Sequence, residues 1–261
     1  MDTDDSLLLQ PIGDYAVLTL NRPDKRNAIS HAMWRRLPEL ISAVEADASI
    51  KLFVVRGAGG HFAAGADIAE FEVALGSPEA ARAYFDDVSR ATDALQRCVK
   101  PTLAAIQGAC VGGGLALALC CDLRLAAADS RFGITPARLG LSYSLADTRR
   151  LVDAVGSAAA KDILFTGRLL EAEEALRIGL VNGLAAPEAF EDALRGRAEE
   201  LCAASQWTAR AVKATVALVL DGERSETDAT RRWQLEAVDG EDFREGRLAF
   251  TEKRAPKFTY R

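Results

Sequence analysis

The chain has 261 residues, 49% of them hydrophobic and 27% charged, and its 32 Lys+Arg against 38 Asp+Glu leave a net charge of -6. A chain of this size can bury about 70% of its unfolded surface, enough for one large core, and its ordinary composition excludes disorder, a coiled coil or a collagen-like repeat. The acidic balance argues against nucleic-acid binding, which needs a basic face, and no apolar run reaches the roughly 20 residues of a membrane span.

Tyr15-Ala-Val-Leu-Thr-Leu20 reads as a strand and Asn21-Arg-Pro-Asp24 as the turn after it. Ser30 caps a helix running to about Asp47, with Pro38 placed to interrupt it. Leu52–Val55 is a second strand, ending in Gly57-Ala-Gly-Gly60. Ser77–Cys98 is helical, with Pro78 in its first turn. Thr102–Ile106 is a third strand, followed by Gly112-Gly-Gly114 and an Ala/Leu-rich helix. Leu123–Ala126 and Arg131–Ile134 are further short strands. Beyond about residue 144 strand signals nearly vanish, and helices are expected at 145–155, 157–165, 171–178, 187–203, 206–220, 226–239 and 241–253. Strands alternating with helices imply an α/β core. We assign residues 1–200 to it and 201–261 to a helical covering or oligomerising region.

The acidic N-terminus is unlike a basic secretory leader. Cys98, Cys110, Cys120, Cys121 and Cys202 form no CxxC pair and read as buried free thiols of a reducing compartment, so a cytoplasmic protein without membrane attachment is expected. Neither histidine, His31 or His61, stands at metal-binding spacing, so no metal site is assigned.

Two glycine-bearing loops carry the chemical signal. Gly60-His-Phe-Ala-Ala-Gly-Ala-Asp67-Ile68 follows a strand, and Gly112–Gly114 opens a helix. Either could be only a turn or a close-packed helix start. Three consecutive glycines, however, are costly in chain entropy and leave backbone N–H groups free to face a ligand. No Lys-Ser/Thr follows for a P-loop, and Leu117 occupies the third glycine place of a dinucleotide fingerprint.

Together with Asn21–Ile29, Lys100–Gly108, Cys121-Asp-Leu123 and Phe243–Phe258, these loops resemble the crotonase (enoyl-CoA hydratase/isomerase) superfamily over nearly the whole chain. The resemblance implies a core of repeated ββα units with a helical C-terminal region, and homotrimers often paired as hexamers. It implies an acyl-CoA substrate with no permanently bound cofactor, and an oxyanion hole made by the backbone N–H groups of Ala66 and Gly113. It implies CoA contacts at Lys25, Arg26, Ala28, Ala64, Asp67, Ile68, Phe250 and Lys253. Solvated surface charge is the competing reading for each basic residue among them.

The sequence departs from the family's pattern where hydratases carry two glutamates. Those places hold Ala116 and Pro136, and neither side chain transfers protons. Phe132–Leu145 instead resembles the methylmalonyl-CoA decarboxylase branch, which implies an active-site role for Tyr143. Decarboxylation forms the enolate by losing CO₂ and needs no general base. One mismatch is that the decarboxylase has histidine where Ala66 stands. Asp147 and Glu70 are candidates for relocated acid/base groups, Asp147 also for the N-terminal charge of its helix. Asp67 could bond loop N–H groups, Arg138 could meet a substrate carboxylate, and His61 reads as a loop residue. Three functions are open: a lyase of hydratase/isomerase type, a decarboxylase of a malonyl-type CoA ester, and a non-catalytic CoA-ester binding or assembly subunit.

Overall fold

The computed structural model describes residues 5–260. Nine strands, β1 (Leu7–Ile12), β2 (Tyr15–Leu20), β3 (Leu52–Gly57), β4 (Thr102–Ile106), β5 (Ala109–Val111), β6 (Leu123–Ala127), β7 (Arg131–Gly133), β8 (Leu170–Glu171) and β9 (Gly183–Ala185), are found among them. Six form a sheet in the order β1-β2-β3-β4-β6-β9, with β1 and β2 antiparallel and the remaining pairs parallel. The others form a small sheet, β5-β7-β8.

The helices are α1 (His31–Ala46), α2 (Phe71–Ala74), α3 (Pro78–Gln96), α4 (Gly113–Leu119), α5 (Pro136–Leu139), α6 (Leu145–Thr166), α7 (Ala172–Arg177), α8 (Phe190–Ala203), α9 (Gln206–Leu220), α10 (Asp228–Asp239) and α11 (Glu241–Glu252). The inner strands are apolar on both faces, as a covered parallel sheet requires. Leu18, Leu20, Phe53, Val55, Ala104 and Ile106 join the main core with Met33, Trp34 and Leu37 of α1 and Leu115 and Leu117 of α4. Val17, Leu52, Val54, Leu103 and Ala105 face Phe190, Leu194 and Ala198 of α8.

The mixed α/β core with a helical C-terminal region is as expected, and local features differ, the short Ala109–Val111 strand before the glycine triplet among them. The Leu7–Ile12 strand was not anticipated; it pairs along the sheet edge with Tyr15–Leu20. Strand signal after residue 144 is weak but not lost, because three-residue β9 gains its conformation by pairing with β6. Pro38 lies inside α1 without ending it. Burial of Met33, Trp34, Leu37, Ile41 and Val44 on one face outweighs the lost backbone bond. The two helices expected on either side of Gly156 run end to end through that residue, whose φ of 77° makes the break. No helix among the described residues is long and apolar enough to cross a membrane.

Candidate active site

Parallel strands β3 and β4 end side by side, and the loops leaving their C-terminal ends build the site, the usual place for ligands in an open α/β sheet. The loop after β3 is laced to two neighbouring segments. Phe62 N–H and Ala63 N–H donate to the carbonyls of Gln107 and Ala109, while Ala64 N–H and Asp67 N–H donate to those of Arg26 and Ile29. Asn27, fully buried with φ 56°, locks the other side. Its amide donates to the Ala58 and His61 carbonyls at 2.8 and 2.6 Å, and its oxygen accepts the Arg22 N–H at 2.9 Å.

Ala66 sits at the centre of a parallel bridge to Ile29. The bonds of that bridge are made by the residues on either side, Gly65 and Asp67, so Ala66 turns its own N–H away from Ile29. Its nitrogen lies beside the glycine triplet: a Cβ on Gly113 would stand 3.4 Å from the Ala66 nitrogen and 3.3 Å from the Trp34 ring. Gly112, at φ 53°, turns the chain into α4 and donates its N–H to the Gly133 carbonyl at 2.8 Å. Among the described residues neither the Ala66 nor the Gly113 N–H has a protein acceptor, and both residues are half-buried rather than sealed. Two unpaired donors at one opening can hold one oxyanion.

The residues expected to meet CoA fall in two places. Lys25, Arg26, Ala28, Ala64, Asp67 and Ile68 gather around the Ala66 loop. Asp67 ties them together, pairing with Arg22 at 2.8 Å and Lys25 at 3.1 Å and accepting the Ala69 N–H at 3.3 Å. Burial pushes its carboxyl up, and the Arg22 and Lys25 bonds outweigh this and hold it below the ordinary carboxylate range. Part of the Lys25 charge is therefore already answered by Asp67. Phe250 and Lys253 lie elsewhere, on and just after α11, whose main packing partner is α10. The exposed Phe250 lines a cavity of about 670 Å³ with Trp207, Phe243, Phe258 and Tyr260. None of its lining residues belongs to the Ala66 loop or the glycine triplet.

The acid/base positions are plain. Ala116 is buried within α4, and Pro136 opens α5, where its missing N–H costs no helical bond. Asp147 is spoken for: Ser144 bonds it at 2.6 Å and Arg150 pairs with it at 2.8 Å, which fits its reading as a helix N-terminal charge. Arg150 in turn reaches Asp93 and Gln96, both at 2.7 Å. Glu70 accepts the His31 N–H at 2.7 Å at the start of α1. His61 accepts the Ala109 N–H at 3.1 Å. Tyr143 packs on the main core with its hydroxyl sealed and unpartnered, and burial pushes the phenol well above its ordinary pKa. Arg138 stands exposed at the end of α5.

Residues 13–261 match the family model described as enoyl-CoA hydratase/isomerase. The chain belongs to the enoyl-CoA hydratase/isomerase family. It is 34% identical to a crotonyl-CoA hydratase of Syntrophomonas wolfei over 97% of this chain and 98% of that protein. It is 35% identical to an (E)-benzylidenesuccinyl-CoA hydratase of Thauera aromatica over 93% and 94%. The solved enoyl-CoA hydratase/carnithine racemase from Magnetospirillum magneticum superposes with a TM-score of 0.94 at 37% identity, covering 99% of this chain and 97% of that one.

Sequence reasoning gave no structural role to three residues that shape the candidate site of this enoyl-CoA hydratase/isomerase family member: Arg22, Asn27 and Trp34. Asn27 carried a signal, since an asparagine after Lys-Arg is one of the few residues that tolerates a positive φ. Trp34 carried none beyond its helical spacing, because its neighbour Gly113 is distant in sequence.

Proposed function

We propose that this protein is an acyl-CoA-processing lyase of the enoyl-CoA hydratase/isomerase type, stabilising a thioester enolate between the N–H groups of Ala66 and Gly113. The observation that carries this reading is the meeting of those two unpaired donors across a gap kept open by a missing Cβ. Charge develops on the thioester oxygen as the enolate forms, and each donor fixed in advance is worth about 3–4 kcal/mol there. Backbone donors require no reactive side chain, so Ala and Gly suffice. Lys25, Arg26, Ala28, Ala64, Asp67 and Ile68 would hold the CoA nucleotide and pantetheine, with Phe250 and Lys253 covering the adenine end. CoA is carried by the substrate, and no permanently bound cofactor enters the scheme. The molecule exposes 13911 Å² against roughly 11,000 Å² for a compact monomer of its mass, and Val212, Val216, Val219, Leu235 and Val238 are exposed on α9 and α10. That excess supports assembly into a homotrimer or a hexamer of two trimers. A cytoplasmic location fits five buried free thiols.

A second reading, decarboxylation of a malonyl-type CoA ester, is favoured by one observation. Asp147 and Glu70 are engaged in internal bonds, while the neutral Tyr143 hydroxyl has no protein partner. Such a site is short of a free base but not of an oxyanion hole. The deciding experiment offers the pure protein crotonyl-CoA, malonyl-CoA and methylmalonyl-CoA and follows products by mass spectrometry. Turnover of any of them supports the lyase reading. Loss of CO₂ without water addition to crotonyl-CoA selects the second reading. Binding of all three esters without turnover would instead make the chain a CoA-ester binding subunit.

A further inference from the structure

Beside Gly113 stands an aromatic pair, Trp34 and Tyr84, whose polar atoms face each other. The Trp34 ring would stand 3.3 Å from a Cβ on Gly113, and Trp34 itself is 1% exposed. Its indole N–H is turned toward the Tyr84 oxygen without closing a hydrogen bond. Tyr84 is 5% exposed, and among the described residues its hydroxyl donates to no protein acceptor. The Tyr84 ring is clamped edge-on by His31, Phe71 and Phe85, with centroids at 5.1, 6.1 and 5.8 Å. His31 is fixed in turn by Asp87 at 2.8 Å. A phenol held on three sides cannot swing its hydroxyl away to find another partner, so the donor is set in place before a ligand arrives.

The Trp34 ring borders Gly113, so an acyl group held at the hole would lie against Trp34 and its neighbour Tyr84. We propose that Tyr84 is a specificity-determining residue of this acyl pocket, its hydroxyl donating a hydrogen bond to a neutral oxygen on C3 of the acyl chain, as in a 3-oxoacyl-CoA ester. The proposal rests on the CoA-thioester reading above and adds the class of acyl group to it. Burial first, and then the charges of Glu70 and Asp67, push the Tyr84 phenol up to about 12, so it stays protonated and a donor at neutral pH. The Glu70 carboxylate selects against an anionic substituent, which would be repelled and left without a cation. His31 is already taken by Asp87, and Lys25 by Asp67.

The test uses two esters that differ by one oxygen, acetoacetyl-CoA and butyryl-CoA, titrated calorimetrically into the full-length protein and into Tyr84→Phe. That substitution keeps the ring and its three edge contacts, so the fold is retained; circular dichroism checks this. The expected result is a Kd for acetoacetyl-CoA raised about 10- to 100-fold, the scale of one hydrogen bond in a desolvated pocket, with butyryl-CoA unchanged. Equal effects on both esters, or none on either, would overturn the assignment of Tyr84. Failure of the unmodified protein to bind either ester would sink the thioester reading itself, and this proposal with it.

Discussion

The carbonyl of Ala63 lies so close to Gly114 that a Cβ on the glycine would stand 2.5 Å from its oxygen and 2.7 Å from the Ala63 Cβ. The contact is backbone against backbone, so no rotamer change relieves it. Gly114→Ala therefore has to push α4 off the Ala63 loop, and Gly113 moves with it. Overpacking of this kind costs about 1–3 kcal/mol, which lowers Tm by roughly 2–10 °C in a chain of this size. Turnover should fall with it, and calorimetry with a CoA-ester assay on the same sample reads both.

Gly113→Pro tests the hole twice over, by removing one donor and by placing a Cβ 3.3 Å from the Trp34 ring and 3.4 Å from the Ala66 nitrogen. Gly113 is the first residue of α4, where proline is tolerated because its N–H has no intrahelical acceptor. The substitution deletes one oxyanion donor, and we expect kcat to drop about 100- to 1000-fold on whichever CoA ester is turned over. Affinity for free CoA should change little. Undiminished kcat in a folded variant would remove Gly113 from the hole.

Asn27→Ala leaves the Ala58 and His61 carbonyls without their donor and holds at φ 56° an alanine, which tolerates that conformation less well than asparagine. Each buried acceptor left unpaired costs about 1–3 kcal/mol. Asn27→Gly removes the backbone strain and not the lost bonds. The glycine variant should therefore recover only about 1 kcal/mol of the loss in a urea titration.

Tyr143→Phe tests the second reading. The sealed hydroxyl has no partner, so its removal should raise stability by about 1 kcal/mol, a Tm increase of roughly 2–4 °C. If the phenol also orients a departing carboxylate, CO₂ release from methylmalonyl-CoA falls 10- to 1000-fold, the usual scale for one polar transition-state contact. A higher Tm with unchanged turnover would make Tyr143 a packing residue alone.

Asp67 gives the site an acid limit. Its folded pKa is depressed by Arg22 and Lys25, so the stability it contributes is present above the unfolded value near 4 and is lost as pH falls through the folded one. Between pH 5 and pH 2 the wild type should lose more Tm than Asp67→Asn, whose amide does not titrate. Parallel curves for the two proteins would show the pairing to be energetically idle.

The sequence by itself determined the α/β alternation, the two glycine-bearing loops and the absence of carboxylates at Ala116 and Pro136. Each depends on residues adjacent in the chain: a run of β-branched and apolar residues, a capping Ser30 or Ser77, three glycines in a row. The edge strands escaped it, because Gly183–Ala185 becomes a strand only by bonding to Leu125–Ala127. The tertiary structure alone decided which polar groups remain available. Glu70 is consumed by a backbone N–H 39 residues away, and Asn27 by a carbonyl 34 residues away. Asp147 is held by Arg150, which Asp93 anchors from another helix. A side chain's chemical capacity follows from its type, but its freedom to use that capacity depends on partners that only folding brings within hydrogen-bond distance.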